Sequence, residues 1–442
     1  MKRLFDGFAY GDGPRATCWW DQTCTLPERA AVGQSMQTDV AIIGAGFTGI
    51  SAALHLARAG IGVTVLEAGH VGWGASGRNG GFCCLGGGRA DDVVLDKRFG
   101  PAGRIAYRRT ELAAVSFVER LIAEHGIDVD RHSQGETILA HRPRDFETLT
   151  HDAGAVGENY GVSCSLHTKQ DLVALGMAGP FHGGMSVDAG FGLNPRKYLA
   201  GLAQAAETAG ARILERSAVT AVAAKNGGWR LRANGHLIHA DHVIIATNGY
   251  SSEDLPQWLA GRYLPSQSSV IVTRPLEEED LAAAGWTTAQ MAYDTRNLLH
   301  YFRLMPDRRF IFGMRGGILT GAAAEAHAAA KVRHDFESMF PAWRRVETPY
   351  SWSGMVCLAR DMLPFAGAVP DHAGLWAGLC YHGNGVAMGS YCGAILAQLV
   401  QGRTPDMPYP DALSSPPRRF ELGRLRRAVM PFAYGAYALA DR

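Results

Sequence analysis

Several things are scarce in this chain, and each shortage narrows what it can be. No stretch approaches the roughly 18 uninterrupted apolar residues of a membrane span, and Met1 to Tyr10 lacks the long apolar core of a secretory signal. The expected address is the cytoplasm, with no membrane span. Cysteines number eight in 442 residues, with no Cys-x-x-Cys pair and with Cys83 and Cys84 adjacent. That pattern fits reduced thiols rather than a disulfide framework or a zinc site, and no metal is expected. Neither sign of charge dominates: 43 Lys and Arg stand against 42 Asp and Glu. No nucleic-acid partner follows from such a balance, because that would need a basic face or stripe. Lysine is rare, and Lys2, Lys97, Lys169, Lys197, Lys225 and Lys331 all avoid the glycine motifs described next.

What is present begins with Thr38-Asp39-Val40-Ala41-Ile42-Ile43, a β-branched run that leads into Gly44-x-Gly46-x-x-Gly49. A helical pattern runs from Ile50 to a stop at Gly60, and the next strand, Val63 to Leu66, ends on Glu67, about 20 residues beyond the glycines. Gly44 permits the tight turn, Gly46 lets a pyrophosphate approach the backbone, and Gly49 allows close helix–strand packing. The helix N-terminus offers unpaired N–H groups to an anion, and Glu67 can accept from a ribose. This is a dinucleotide-binding unit.

At 442 residues two domains are the default, and 47% apolar residues suit an ordinary globular core. Residues 1–36 read as an N-terminal arm, aromatic at Trp19 and Trp20, that packs across the surface. Gly72 to Gly81 is a glycine-dense loop whose backbone can lie against a flat ring. A helix follows over 101–126, then a short strand over 136–140 and a helix opened by Pro143. Asp188 to Pro195 turns into a helix over 196–208; strands over 211–215, 218–223 and 229–233 lead to the buried strand His242 to Ala246 and the turn Thr247-Asn248-Gly249. Residues 262–355 alternate in a β-pattern, as in Val270-Ile271-Val272 and Phe310-Ile311-Phe312. Finally Tyr381-His382-Gly383-Asn384-Gly385-Val386 feeds a helix ending at Gly402, a second anion-stabilising turn.

Together these segments, from about Trp19 to Gly402, resemble the D-amino-acid-oxidase-like superfamily of FAD-dependent oxidoreductases. Gly74-Ala75-Ser76-Gly77-Arg78-Asn79-Gly80-Gly81 resembles the signature of its gamma-glutamylputrescine oxidoreductase branch. The resemblance implies an α/β chain with a Rossmann-like FAD-binding domain of the GR2 type and an inserted antiparallel β-sheet substrate domain. The FAD domain is expected over 37–130, 190–261 and 356–402, the substrate domain over 131–189 and 262–355, and a C-terminal extension over 403–442. By the same resemblance Gly44, Gly46, Phe47, Thr48 and Gly49 hold the pyrophosphate of a non-covalent FAD, Glu67 and Ala68 the adenosine ribose, and Val219 the adenine. Gly74, Ala75, Ser76, Arg78, Asn79, Gly80 and Gly81 lie along the isoalloxazine, with Thr247 and Gly249 in support. Gly383, Asn384, Gly385, Val386 and Ala387 cover its pyrimidine end.

The implied activity is oxidation of an amine C–N bond, giving an imine and then an aldehyde, with O2 or another electron acceptor completing the cycle. Oxidation of a small amino acid, as by sarcosine or glycine oxidases, is the alternative, as is a flavin subunit of a larger complex. Two departures fall beside the expected flavin: Phe82-Cys83-Cys84 after Gly81, and Asn384 where relatives often have histidine. Cys357 stands a few residues off the spacing to Pro364 seen where sarcosine oxidases tether their flavin. Arg315 is a candidate to pair with a substrate carboxylate, or else an interdomain ion pair. Tyr301 and Arg303, on a neighbouring strand pattern, are further candidates. His382 reads either as a donor near the flavin or as a structural histidine, and Trp352 as a cavity wall or a core residue. The arginines from Arg418 to Arg427 read as a solvated helix face.

Overall fold

Val40 and Ile42 face one way from the Met36–Ile43 strand, Ala41 and Ile43 the other, and both sets are buried in separate cores. Burial on both faces is what a central parallel strand requires. The computed structural model, which describes residues 1–225, 227–317 and 319–441, pairs this strand in parallel with His236–Ile245 on one side and Val63–Leu66 on the other. Leu375–Leu379 and Arg212–Leu214 extend the sheet in parallel, Phe365–Ala368 closes one edge antiparallel, and Val219–Lys225 with Gly228–Ala233 forms a meander off the His236–Ile245 strand. Residues 226, 318 and 442 lie outside the described set, the last of them closing the expected C-terminal extension.

Two helices bury nearly their whole surface against this sheet. Phe47–Arg58 and Ala387–Val400 are buried along most of their length and pack on each other, and small residues set the distance. A Cβ on Gly393 would strike the carbonyl of Thr48, so the helices approach backbone to backbone. The helix expected from residue 101 starts earlier, at Asp92, where Asp91 caps Val94 N–H at 2.7 Å; Gly100, at φ 71°, kinks it just before Pro101.

A second eight-stranded sheet is assembled from two distant parts of the chain. Its order is Tyr350–Leu358, Leu264–Val272, Phe310–Arg315, His300–Leu304, Met291–Asp294, Glu136–Leu139, Gly183–Val187, Cys164–Thr168. All pairings are antiparallel except the seam where Met291–Asp294 runs parallel to Glu136–Leu139. Alternation divides its two faces. Phe302, Phe310, Phe312 and Met314 join Trp286, Phe336, Phe340 and Trp343 in a dense aromatic core. Tyr301, Arg303, Gly313 and Arg315 occupy the other positions and face the first domain.

The N-terminal arm is more deeply engaged than a surface strap. Cys18, Trp20 and Val32 are buried, and Arg29 pairs with Glu207 at 2.7 Å. The C-terminal arginines are also not uniformly solvated: Arg426 is buried, paired with Glu253 at 2.7 Å and donating to the Tyr263 carbonyl.

Candidate active site

The first glycine turn is built so that nothing but backbone can occupy it. Gly44 sits at φ +106°, where a Cβ would stand 2.8 Å from the Ala246 carbonyl oxygen, and a Cβ on Gly49 would collide with the Gly44 carbonyl. The Phe47–Arg58 helix starts from Gly46 with no side-chain cap, so N–H groups of its first turn are left for a ligand. Ser76 crosses from the later loop to accept the Phe47 N–H at 3.0 Å. Glu67 accepts from Ala45 N–H at 2.7 Å and Gly69 N–H at 2.9 Å, and burial pushes its carboxyl above the usual range.

Asn79 shapes the second loop. Its amide donates to the carbonyls of Ala75 and Ser76 and its oxygen accepts from Gly81 N–H at 2.8 Å. Arg78 donates to the Trp73 carbonyl at 2.8 Å and stacks on the Trp73 ring, leaving one buried guanidinium nitrogen without an acceptor among the described residues. The late turn is tied to both. Tyr381 OH and Thr48 Oγ1 lie 2.8 Å apart, linking it to the first helix, and Asn384 donates to the Leu85 carbonyl at 2.9 Å. The helix Ala387–Val400 likewise begins without a side-chain cap.

These pieces open on one cavity of about 540 Å³. Gly44, Gly46, Phe47, Thr48, Glu67 and Ala68 line one stretch, with Val219 and Thr247 nearby. Gly74, Ala75, Ser76, Arg78, Asn79 and Gly80 line the next, and Gly383, Asn384, Gly385 and Val386 face them. Gly49, Gly81, Gly249 and Ala387, expected at the cofactor, do not line the cavity.

The second sheet supplies the remaining wall. Tyr301 fits between two glycines: a Cβ on Gly80 would stand 2.7 Å from its ring, and one on Gly313 would overlap it. Its hydroxyl lies 2.9 Å from Ser268 Oγ. Arg315, paired with Ser268 in the register, lays its guanidinium over the late turn, where a Cβ on Gly383 would stand 2.7 Å away. Among the described residues no hydrogen bond or ion pair engages that guanidinium. Burial, with Arg89 nearby, pushes it down to about 10.

Three of the expected catalytic residues face elsewhere. Arg303 is fully buried; it donates to His132 Nε2 at 2.7 Å and to the carbonyls of Gly80 and Leu193, so all three nitrogens are spent holding the loop. His382 donates from Nδ1 to the Gly87 carbonyl at 3.1 Å and accepts Ala359 N–H on Nε2 at 3.0 Å, which leaves no ring nitrogen for a substrate. Burial lowers it to about 4, so it is neutral at physiological pH. Trp352 lies under the loop, its indole N–H donating to the Arg78 carbonyl at 2.7 Å. Cys357 lines the cavity, 3.6 Å from Cys380.

Several cavity residues escaped the sequence reading, among them Arg89, Arg108 and Tyr250, and two lie on the second sheet beside Tyr301. Tyr293 is the cross-strand neighbour of Tyr301, and Glu136, only 4% exposed, opens a strand on the same face. An acid opening the strand Glu136-Thr137-Ile138-Leu139 was visible, but which face of that strand borders a cavity is decided by long-range pairing.

Uncapped helix ends, glycine cradles that a Cβ would fill and a buried acid at the second strand fit the donor set a flavin dinucleotide needs. The family described as DAO, FAD dependent oxidoreductase, matches residues 39–399. Gamma-glutamylputrescine oxidoreductase of Escherichia coli (strain K12) is 31% identical over 416 residues, 93% of this chain and 94% of that protein. Probable oxidoreductase OrdL of Rhizobium meliloti (strain 1021) is 30% identical over 433 residues, 96% and 97% of the two chains. The crystal structure of glycine oxidase from Geobacillus kaustophilus shares the fold, with a TM-score of 0.68 at 20% identity over 84% of this chain and 96% of that one. The chain belongs to the DAO family of FAD-dependent oxidoreductases.

Proposed function

We propose that this oxidoreductase acts on the C–N bond of an amine bearing a carboxylate several bonds away, of the gamma-glutamylputrescine kind named for its Escherichia coli relative. The observation that carries the reading is Arg315: a guanidinium at the cavity wall with no protein partner among the described residues is suited to a substrate carboxylate in a bidentate pair. In this reading residues 37–130, 190–261 and 356–402 hold the cofactor, and 131–189 with 262–355 form the substrate side.

When bound, FAD supplies the two-electron oxidant that takes a hydride from the carbon beside the substrate nitrogen. The protein's part is orientation and charge. Arg315 anchors the carboxylate; Tyr301 and Tyr293 wall the chain of the substrate and exclude water. The late turn, with the N-terminus of the Ala387–Val400 helix behind it, stabilises negative charge. With O2 as acceptor the sum is amine, O2 and water giving aldehyde, ammonia and H2O2.

The test is an anaerobic screen of the yellow protein with gamma-glutamylputrescine, putrescine, sarcosine, glycine and D-amino acids. Rapid bleaching by gamma-glutamylputrescine is expected. Bleaching by glycine or sarcosine alone would replace this reading with a small-amino-acid oxidase, and bleaching by none with a subunit that needs a partner.

A further inference from the structure

We propose that Glu136 is a specificity-determining residue that receives an ammonium group of the substrate, three strands across the sheet from Arg315. The proposal rests on the amine-oxidising reading above and names what that reading leaves open, the group that recognises the amine.

Glu136 is held rigidly. Its strand pairs on one side with Met291 in parallel and on the other with Val187 antiparallel, which fixes the face of the sheet from which its side chain enters the cavity. It is almost wholly buried, yet no arginine, lysine or histidine pairs with it among the described residues. The groups around it are the Cys84 thiol, Tyr293 from the adjacent strand, and Glu111 from the long helix, with Tyr160 bonded to Glu111. Arg108 also reaches the cavity, but it is committed to Asp92 at 2.8 Å, Glu111 at 3.1 Å and the Ala90 carbonyl. A buried carboxyl without a cation is costly to ionise. Burial accordingly pushes Glu136 up to about 8, with Glu111 adding to the rise. An arriving ammonium supplies the missing charge and releases the carboxyl proton.

Spacing turns this into selectivity. Three strand intervals separate the Arg315 strand from the Glu136 strand, roughly 14 Å between backbones at about 4.8 Å each. Both side chains line the cavity and both act on Cys84 and Tyr293, so their charged ends approach closer than their backbones. The nitrogen and carboxylate of an α-amino acid, on the order of 3 Å apart, cannot meet both groups. A gamma-glutamylated putrescine, with one bond more than three extended residues, spans about 12 Å and can.

The test uses the FAD-loaded protein with its flavin reduced by dithionite, so that binding proceeds without turnover. Calorimetric titration compares gamma-glutamylputrescine with gamma-glutamylbutylamide, which lacks the terminal amine, at pH 6 and pH 8. Wild type is expected to prefer the amine roughly thirtyfold, with a preference that grows with pH and with proton release in two buffers of different ionisation heat. Glu136→Gln should lose preference, pH slope and proton release while binding the butylamide unchanged. Glu136→Asp should keep the preference in weaker form, and it decides the matter should the glutamine variant not fold. Equal binding of the two compounds by wild type, or equal losses for both in Glu136→Gln, would overturn the proposal. Glu136-dependent binding without bleaching in the oxidised protein would keep the subsite and sink the oxidation reading.

Discussion

The two sides of the cavity are made from different materials. On the side of the glycine turns the lining is mostly backbone, and the polar side chains there, Ser76, Asn79, Glu67 and Asn384, are already bonded to backbone groups that they hold in place. On the side of the second sheet, side chains form the lining, and two of them, Arg315 and Glu136, carry charge or the capacity for it with no ion-pair partner among the described residues. One side has its shape set before any ligand arrives, leaving open only uncapped helix N–H groups and one Arg78 nitrogen. The other is left incomplete in the way a specific ligand can complete.

If that contrast is right, damage to the first side should be all or none. Gly49→Val places a side chain where a Cβ alone collides with the Gly44 carbonyl. We expect purified protein without FAD, read from the ratio of absorbance in the flavin band to that of protein. Retention of stoichiometric yellow cofactor would show that the turn adapts and that the rigidity attributed to it is misplaced.

On the second side the largest effect should be a gain of stability. The Glu136 carboxyl rises from an ordinary 4.5 to about 8 in the folded protein. Between those values the unfolded chain ionises while the folded protein keeps its proton, so stability falls as pH rises through that window and levels off above it. Glu136→Gln removes the loss. The substrate-free variant should match wild type near pH 4 and exceed it by up to ~5 kcal/mol above pH 8, measured by urea unfolding. A difference that does not change between pH 5 and pH 9 would mean the carboxyl ionises freely. Arg315→Ala comes next: KM for carboxylated amines should rise by about 100-fold, on the order of 2–3 kcal/mol, with FAD content unchanged. If FAD is lost as well, Arg315 belongs to the cofactor side.

The same contrast explains what could be read from the chain. Gly44, Gly46, Gly49 and Glu67 are set by local geometry within one βαβ unit, so their spacing suffices to place them. The catalytic candidates depended on which neighbour each strand side chain meets. Tyr301 and Arg303 sit two apart on one strand face, yet Tyr301 reaches the cavity while Arg303 is taken up by His132 and two loop carbonyls. No spacing distinguishes them. Glu136 was hidden for the same reason, since its neighbours come from residues 84, 111 and 293 and meet only through the parallel seam between distant parts of the chain. The kinked helix and the buried N-terminal tryptophan are likewise products of tertiary packing overriding local pattern.

The smallest effect should come from Trp352, which lies on the second sheet but serves the first side. Its indole N–H holds the Arg78 carbonyl, as that of Trp20 holds the Asn79 carbonyl at 2.8 Å, so two tryptophans pin consecutive residues of the glycine loop from below. Trp352→Phe keeps the apolar body and deletes one hydrogen bond, worth about 1 kcal/mol. FAD affinity should fall about fivefold on dilution or dialysis, while KM for the amine stays at the wild-type value. A change in KM without a change in FAD affinity would put Trp352 at the substrate wall and blur the division, because the residue would then be acting through its ring face rather than through the loop it supports.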